Sequence, residues 1–186
     1  MKEPPNRHYL LALWYRPGTT IRELAAGGRG HAAACVVAAL LGGFLSLRLR
    51  FGTGGEPAWL LLYFPAGLAG GMAGLFFLAL LVRNFGRWFG GQAELRTVRT
   101  ALGLGLLPWT LLSGLLLAAL YSGVDAAAAT ALLPVFFAVF LYGYVLLLLT
   151  TMAALGLGAI RATLTLAISS VVAFFIIATA VRLFIR

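Results

Sequence analysis

Residues 131–181 read ALLPVFFAVFLYGYVLLLLTTMAALGLGAIRATLTLAISSVVAFFIIATAV, and Arg161 is the one charged side chain among them. A single α-helix of this length would measure about 75 Å, whereas the hydrocarbon core of a bilayer is about 30 Å thick. Two glycines interrupt the apolar run at GLGAIR, residues 156–161. The stretch therefore predicts a hairpin of two membrane-spanning helices, at about 131–155 and 162–181.

The other apolar runs of the chain predict three further spans, at about 31–47, 58–82 and 101–120. Of the 186 residues, 62% are hydrophobic and only 10% are charged. A soluble domain of this size has about a quarter of its residues charged, because polar groups must cover its surface. We therefore predict an all-α fold, a polytopic integral membrane helical bundle with five transmembrane helices in residues 31–186.

Residues 1–30 precede the first span and predict a short amphipathic segment at the membrane surface. After Pro17-Gly18, Thr19 or Thr20 can cap a helix that carries Ile21 and Leu24 on one face. Trp14 and Tyr15 are expected at the depth of the headgroups, where aromatic rings concentrate.

The positions of the basic residues predict the orientation of the bundle. If the N-terminus lies in the cytoplasm, ten of the 14 basic residues lie inside: five in residues 1–30, four in residues 83–100, and Arg161. The other four lie outside. An odd number of spans then places the C-terminus outside. Lys2 is the one lysine, and this arginine bias together with abundant Ala, Gly and Leu is typical of a GC-rich bacterial genome. We expect a bacterial inner-membrane protein.

A basic connector is predicted at residues 83–100, between the second and third spans. Phe85, Trp88 and Phe89 recur at helical spacing beside two arginines, which suits a segment lying flat on an anionic leaflet. One interpretation is that the basic side chains fix topology only; the other is that they bind anionic headgroups or an acidic partner. The candidate contacts are Arg16, Arg22, Arg29, Arg83, Arg87, Arg96 and Arg99.

Small residues in the second span predict close helix packing. Gly67 and Gly71 are four residues apart, as are Gly70 and Gly74, and such small-xxx-small repeats let two helix backbones approach each other. The partner can be a helix of the same chain or of another chain. Pro108 predicts a kink in the third span, because it has no backbone N–H and frees a carbonyl.

Chemistry-bearing motifs are scarce. Two histidines, His8 and His31, do not make a metal site, and no zinc-binding or phosphate-loop spacing occurs. No acid lies within a predicted span, which argues against ion-coupled transport. Cys35 is interpreted as a small packing residue. We predict no enzymatic activity, no cofactor, no metal and no nucleic-acid binding, since the charge accompanies no nucleic-acid-binding motif.

Several short motifs resemble those of the Ypt-interacting protein (Yip) family. The N-terminal segment, residues 1–30, carries WYRP at residues 14–17, followed by Thr19-Thr20. Gly90-Gly91 leads to a third span with GLLP at residues 105–108, and GLGAIRA at 156–162 resembles the family's short break between its last two spans. The resemblance covers almost the whole chain.

The resemblance implies a five-helix membrane domain with a cytoplasmic N-terminus. Its eukaryotic members are associated with Rab-type GTPases and vesicle traffic, through N-terminal regions longer than the roughly thirty residues here. The tryptophan of the family's fourth span has no counterpart, and Phe136, Phe140 and Tyr142 occupy that region instead.

Three functions are open at this point. The first is a non-enzymatic protein of the Yip type that organises membrane lipids or partner proteins, including a second copy of itself. The alternative is a carrier or scramblase-like protein for lipid or a small apolar solute, with a groove at Pro108 and the glycine-rich second span. An enzyme with an unorthodox site is the third, and it requires Ser, His and Arg side chains to converge.

Overall fold

A computed structural model describes residues 9–52, 60–123 and 130–184, and most of these residues are helical with no strand among them. Five helical segments in these ranges are long and apolar enough to span a membrane: His31–Leu49, Leu62–Trp88, Leu95–Tyr121, Leu133–Leu155 and Ala159–Ala180. The predicted all-α membrane bundle is thus confirmed. The helices are α1 (Tyr9–Tyr15), α2 (Pro17–Ala26), α3 (His31–Gly52), α4 (Leu60–Trp88), α5 (Leu95–Gly105), α6 (Leu107–Tyr121), α7 (Leu133–Leu155) and α8 (Ala159–Phe184).

The third span forms the centre of the bundle and consists of two helices. Its first half, α5, contacts α2, α3, α4 and α7, and residues 101–105 are all buried. The helix is interrupted at Leu106, and Pro108 occupies the first turn of α6, where a missing N–H leaves no hydrogen bond broken. The second half, α6, packs mainly on α3 and α7, so the bundle is less filled around it.

The connector predicted over residues 83–100 does not lie flat as one segment, and that prediction is wrong. Helix α4 continues through Arg83 and Arg87 to Trp88, the chain turns at Gly90 with φ of 92°, and α5 begins at Leu95. Arginine is a good helix former whose long side chain can reach the membrane surface, so a basic residue ends the hydrophobic run without ending the helix.

The N-terminal helices are built into the bundle. Leu13 of α1 and Ile21 and Leu24 of α2 share a core cluster with Leu104 of α5 and Leu146 of α7. The segment predicted at the membrane surface therefore wedges its apolar face between α5 and α7.

The two threonines of α2 do not cap it in the predicted way. Helix α2 begins at Pro17, and Arg16 holds the capping position with no side-chain hydrogen bond. The hydroxyls of Thr19 and Thr20 instead donate to the carbonyl of Arg16, at 3.0 and 2.9 Å. These two hydrogen bonds satisfy the Arg16 carbonyl at the break between α1 and α2.

The last two spans form the tight hairpin expected from residues 156–161. Helix α7 ends at Leu155 and is capped by Gly156, which has a left-handed conformation with φ of 68° and whose N–H donates to the carbonyl of Met152 at 2.9 Å. Glycine suits this position because it lacks the Cβ that strains a left-handed residue. Three residues later α8 begins.

Candidate functional site

One end of the bundle gathers the basic side chains singled out in the sequence. Two hydrogen bonds join its parts: the Arg96 guanidinium donates to the carbonyl of Gly28 at 2.9 Å, and that of Arg161 donates to the carbonyl of Phe89 at 3.5 Å. We call this end the arginine face. It comprises Arg16, Arg22, Arg29, Arg83, Arg87, Arg96, Arg99 and Arg161. Arg48 and Arg182 lie at the opposite end and are exposed.

The positive charges of the arginine face have no carboxylate partner in the described ranges. Glu23 and Glu94 are the two acids within those ranges, both are exposed, and neither forms an ion pair there. Eight guanidinium groups at one end of a membrane bundle, which no described carboxylate neutralises, produce a strongly positive surface.

Arg83 and Arg99 differ from the other arginines of this face because their Nε atoms are buried and have no hydrogen-bond partner among the residues that the structure describes. The Arg99 guanidinium lies over the ring of Phe76, with its carbon 4.3 Å from the ring centroid. The same ring meets His31 edge to face, with centroids 6.2 Å apart. The cluster of Phe76, Arg99 and His31 thus ties together the starts of α3 and α5 and the middle of α4.

The remaining arginines are either bonded to backbone carbonyls or exposed. Arg22 donates from Nε to the carbonyl of Gly18 at 3.1 Å, as Arg96 and Arg161 do to theirs. Arg16, Arg29 and Arg87 are exposed. Within the described residues no group of three or more His, Cys, Asp or Glu side chains could hold a metal ion.

The glycines of the second span divide into two pairs. A Cβ at Gly67 or Gly71 would collide with the backbone of α3, at the carbonyls of Gly42 and Ala38 respectively. A Cβ at Gly70 or Gly74 would meet nothing within 4 Å. The first pair lies at the α3–α4 contact, and the second pair leaves room for a Cβ beside every residue that the structure describes.

The partner surface on α3 was missed in the sequence. A Cβ at Gly42 would lie 2.7 Å from the Cα of Gly71, and the hydroxyl of Ser46 donates across the contact to the carbonyl of Tyr63 at 2.9 Å. Small residues recur every fourth position at Ala38, Gly42 and Ser46. That repeat is the signal that could have identified the partner.

Pro108 borders an apolar groove of about 470 Å³ between α6 and α7. Its lining residues come from α1, α6 and α7; none comes from the glycine-rich α4. The lining comprises Trp14, Pro108, Leu111, Leu112, Leu115, Val135, Phe136, Ala138, Val139 and Tyr142. Because Leu111, Leu115 and Val135 are exposed, the groove opens on the surface of the bundle.

Trp14 and Tyr142 both line this groove and contact each other. Their rings stack with centroids 5.3 Å apart and planes within 1° of parallel. Nothing in the sequence pairs these two residues, which are separated by 128 positions.

The family comparison agrees with this architecture. The family model described as the Yip1 domain matches residues 11–181, which include α2 and nearly all of the five spans. A comparison with curated proteins found no match, and a comparison with solved structures found none either. Because the matched range covers most of the 186 residues, this multi-pass membrane protein belongs to the Yip1 domain family.

Proposed function

We propose that this protein is a non-enzymatic membrane organiser of the Yip type that binds anionic headgroups at its arginine face. One observation carries the proposal: eight arginines share one end of the bundle, and no carboxylate in the described ranges pairs with them. Near an anionic leaflet each such residue contributes on the order of 1 kcal/mol, within about 8–10 Å at ordinary salt. Organising a partner protein through an acidic segment would use the same charges, and topology alone is the competing interpretation.

Retention of lipid by the purified protein tests this proposal. Native mass spectrometry of the parent in mixed anionic and zwitterionic lipid should show preferential retention of the anionic species, weakening as salt rises. Arg83→Gln with Arg87→Gln should reduce that preference. The matched control, Arg48→Gln with Arg182→Gln, removes the same charge from the opposite end and should leave it unchanged. A parent with no preference for anionic lipid, or equal losses in the two double variants, would contradict the proposal.

We also propose that the arginine face is cytoplasmic, in a bacterial inner membrane. The ten-to-four asymmetry of basic residues supports this orientation, because positive loops are retained in the cytoplasm. A reporter fused to the C-terminus should then report the outer side. A cytoplasmic signal would reverse the assignment.

A second candidate function, movement of lipid or a small apolar solute, is favoured by the groove at Pro108. Its apolar lining and lateral opening suit an acyl chain better than a polar solute. Lipid flux in reconstituted vesicles tests it. Leu115→Trp should fill the groove and slow the flux, whereas Leu120→Trp, exposed on the same helix outside the lining, should not. Absence of flux in the parent would exclude this function.

A further inference from the structure

We infer that Arg83 and Arg99 together hold the phosphate group of one lipid headgroup, at a defined place on the arginine face. This inference rests on the proposed function and gives it a ligand class and a location. It distinguishes two arginines that recognise phosphate from the others, which contribute only long-range charge.

From the helix geometry we place these two side chains on the same side of the α4–α5 pair. Val82 and Val98 are buried in one core cluster, and Arg83 and Arg99 are the residues that follow them. Helices α4 and α5 run in opposite directions, because α4 ends at the arginine face and α5 begins there. In an antiparallel pair the residue after each contact position rotates toward the same side, at 100° per residue.

The contact of Arg99 with Phe76 supports that placement independently. Phe76 and Arg83 are seven residues apart, and seven residues make nearly two full turns of a helix, so they share one stripe of α4. Since the Arg99 guanidinium lies over Phe76, it faces the stripe that carries Arg83, whose Cα is about 10 Å further along the helix axis at 1.5 Å per residue. Long side chains in a helix point back toward its N-terminus, so the Arg83 side chain extends toward Phe76 and shortens that separation.

The chemistry of the two guanidinium groups calls for an anionic acceptor. Burying a charged donor is costly unless it is hydrogen-bonded, and both Nε–H groups are buried without an acceptor from the described residues. The ring of Phe76 stabilises the charge of Arg99 but does not replace a strong acceptor such as an anionic oxygen. Nε–H and a neighbouring Nη–H form a planar fork that matches two phosphate oxygens, a geometry that lysine cannot reproduce.

The surroundings identify the phosphate as that of a lipid. The same stripe of α4 runs from Phe76 through Leu80, which is 43% exposed, to Arg83 and Arg87. It therefore changes from apolar to basic along the helix axis, in the order in which a lipid changes from acyl chain to headgroup. A free phosphate ion has no apolar group that could contact Phe76 and Leu80.

Arginine-to-lysine variants test the fork, because they keep the charge. Delipidated parent, Arg83→Lys and Arg99→Lys are titrated with phosphatidylglycerol and, separately, with phosphatidylcholine, and the bound lipid is measured by native mass spectrometry. Because both lipids carry a phosphodiester group, each variant should lose about tenfold in affinity for both, as expected for one charge-assisted hydrogen bond. Arg48→Lys at the opposite end should equal the parent, and Arg87→Lys should lose less than either.

The outcomes separate this inference from the proposed function. If the parent prefers phosphatidylglycerol but both lysine variants bind each lipid as tightly as the parent does, the fork is excluded while the function stands. If the parent shows no preference for phosphatidylglycerol over phosphatidylcholine, the proposed function itself is excluded. Competition by inorganic phosphate at millimolar concentration would assign the site to a free ion and overturn the lipid assignment. Melting temperatures check folding, and if Arg99→Lys is unstable through its contact with Phe76, Arg83→Lys alone decides.

Discussion

The hydroxyl of Tyr142 donates a hydrogen bond of 2.8 Å to the backbone carbonyl of Trp14. Helix α1 ends one residue after Trp14, so this carbonyl lies in the last turn, where carbonyls lack partners within the helix. Away from water, an unpaired carbonyl is costly. Tyr142 thus supplies from α7 the hydrogen bond that α1 lacks, and it fixes the position of the N-terminal segment.

We expect Tyr142→Phe to lower the free energy of unfolding by about 1–3 kcal/mol, because the ring remains while the Trp14 carbonyl loses its donor. Thermal unfolding in detergent measures the effect. Tyr144→Phe removes a hydroxyl from an exposed side chain of the same helix and should have little effect. Equal melting temperatures for the two variants would show that the hydrogen bond contributes nothing.

Leu13→Ala should destabilise the protein by about 2–5 kcal/mol, because Leu13 is 1% exposed and its removal leaves a cavity against Leu104 and Leu146. The comparison is Leu11→Ala on the same short helix, where the side chain is 63% exposed. Thermal unfolding of both variants in detergent distinguishes a helix built into the bundle from one resting on the membrane surface. In the second case the two replacements would have similar, small effects.

The two glycine pairs of α4 give a third prediction. Gly71→Ala should lower the melting temperature, because a Cβ there collides with the carbonyl of Ala38. Gly74→Ala should be neutral or slightly stabilising, since its Cβ meets nothing and alanine favours a helix by up to about 1 kcal/mol. A neutral Gly71→Ala would mean that α3 and α4 do not approach as closely as this structure places them.

A fourth prediction concerns orientation. Arg83→Gln with Arg87→Gln leaves eight basic residues inside against four outside, so the C-terminal reporter should still report the outer side. Lipid preference and orientation are thus separable by one double variant. Inversion of the reporter signal would show that these two arginines act in topology.

Apolar runs and charge were sufficient to predict the five spans, because a bilayer constrains helix length and charge directly. The hairpin after Leu155 was predictable too, since GLGAIR marks it in the sequence. The end of α4 was not, because Arg83 stops the hydrophobic run while the helix continues to Trp88. Hydropathy locates the lipid boundary, and helix ends depend on local backbone conformation as well.

The candidate site was predicted only as a set of residue types. The seven arginines could be assigned to one leaflet, but the sequence does not show that Arg83 and Arg99 have shielded Nε atoms while Arg87 is exposed. That difference depends on Phe76 and on the α4–α5 contact, which is a product of tertiary packing. The groove and the pairing of Trp14 with Tyr142 were missed for the same reason.

The seating of α1 and α2 against α7 has a consequence for biosynthesis. Translation proceeds from the N-terminus, so Trp14 leaves the ribosome 128 residues before Tyr142. Helices α1 and α2 therefore lack their contact with α7 until the fourth span has entered the bilayer. We expect Leu13→Cys, in a Cys35→Ala background, to react with a thiol probe in a nascent chain arrested before Leu133 and to be protected in the released chain. The N-terminal helices α1 and α2 would then take their final positions in the bundle only after the later spans have been inserted.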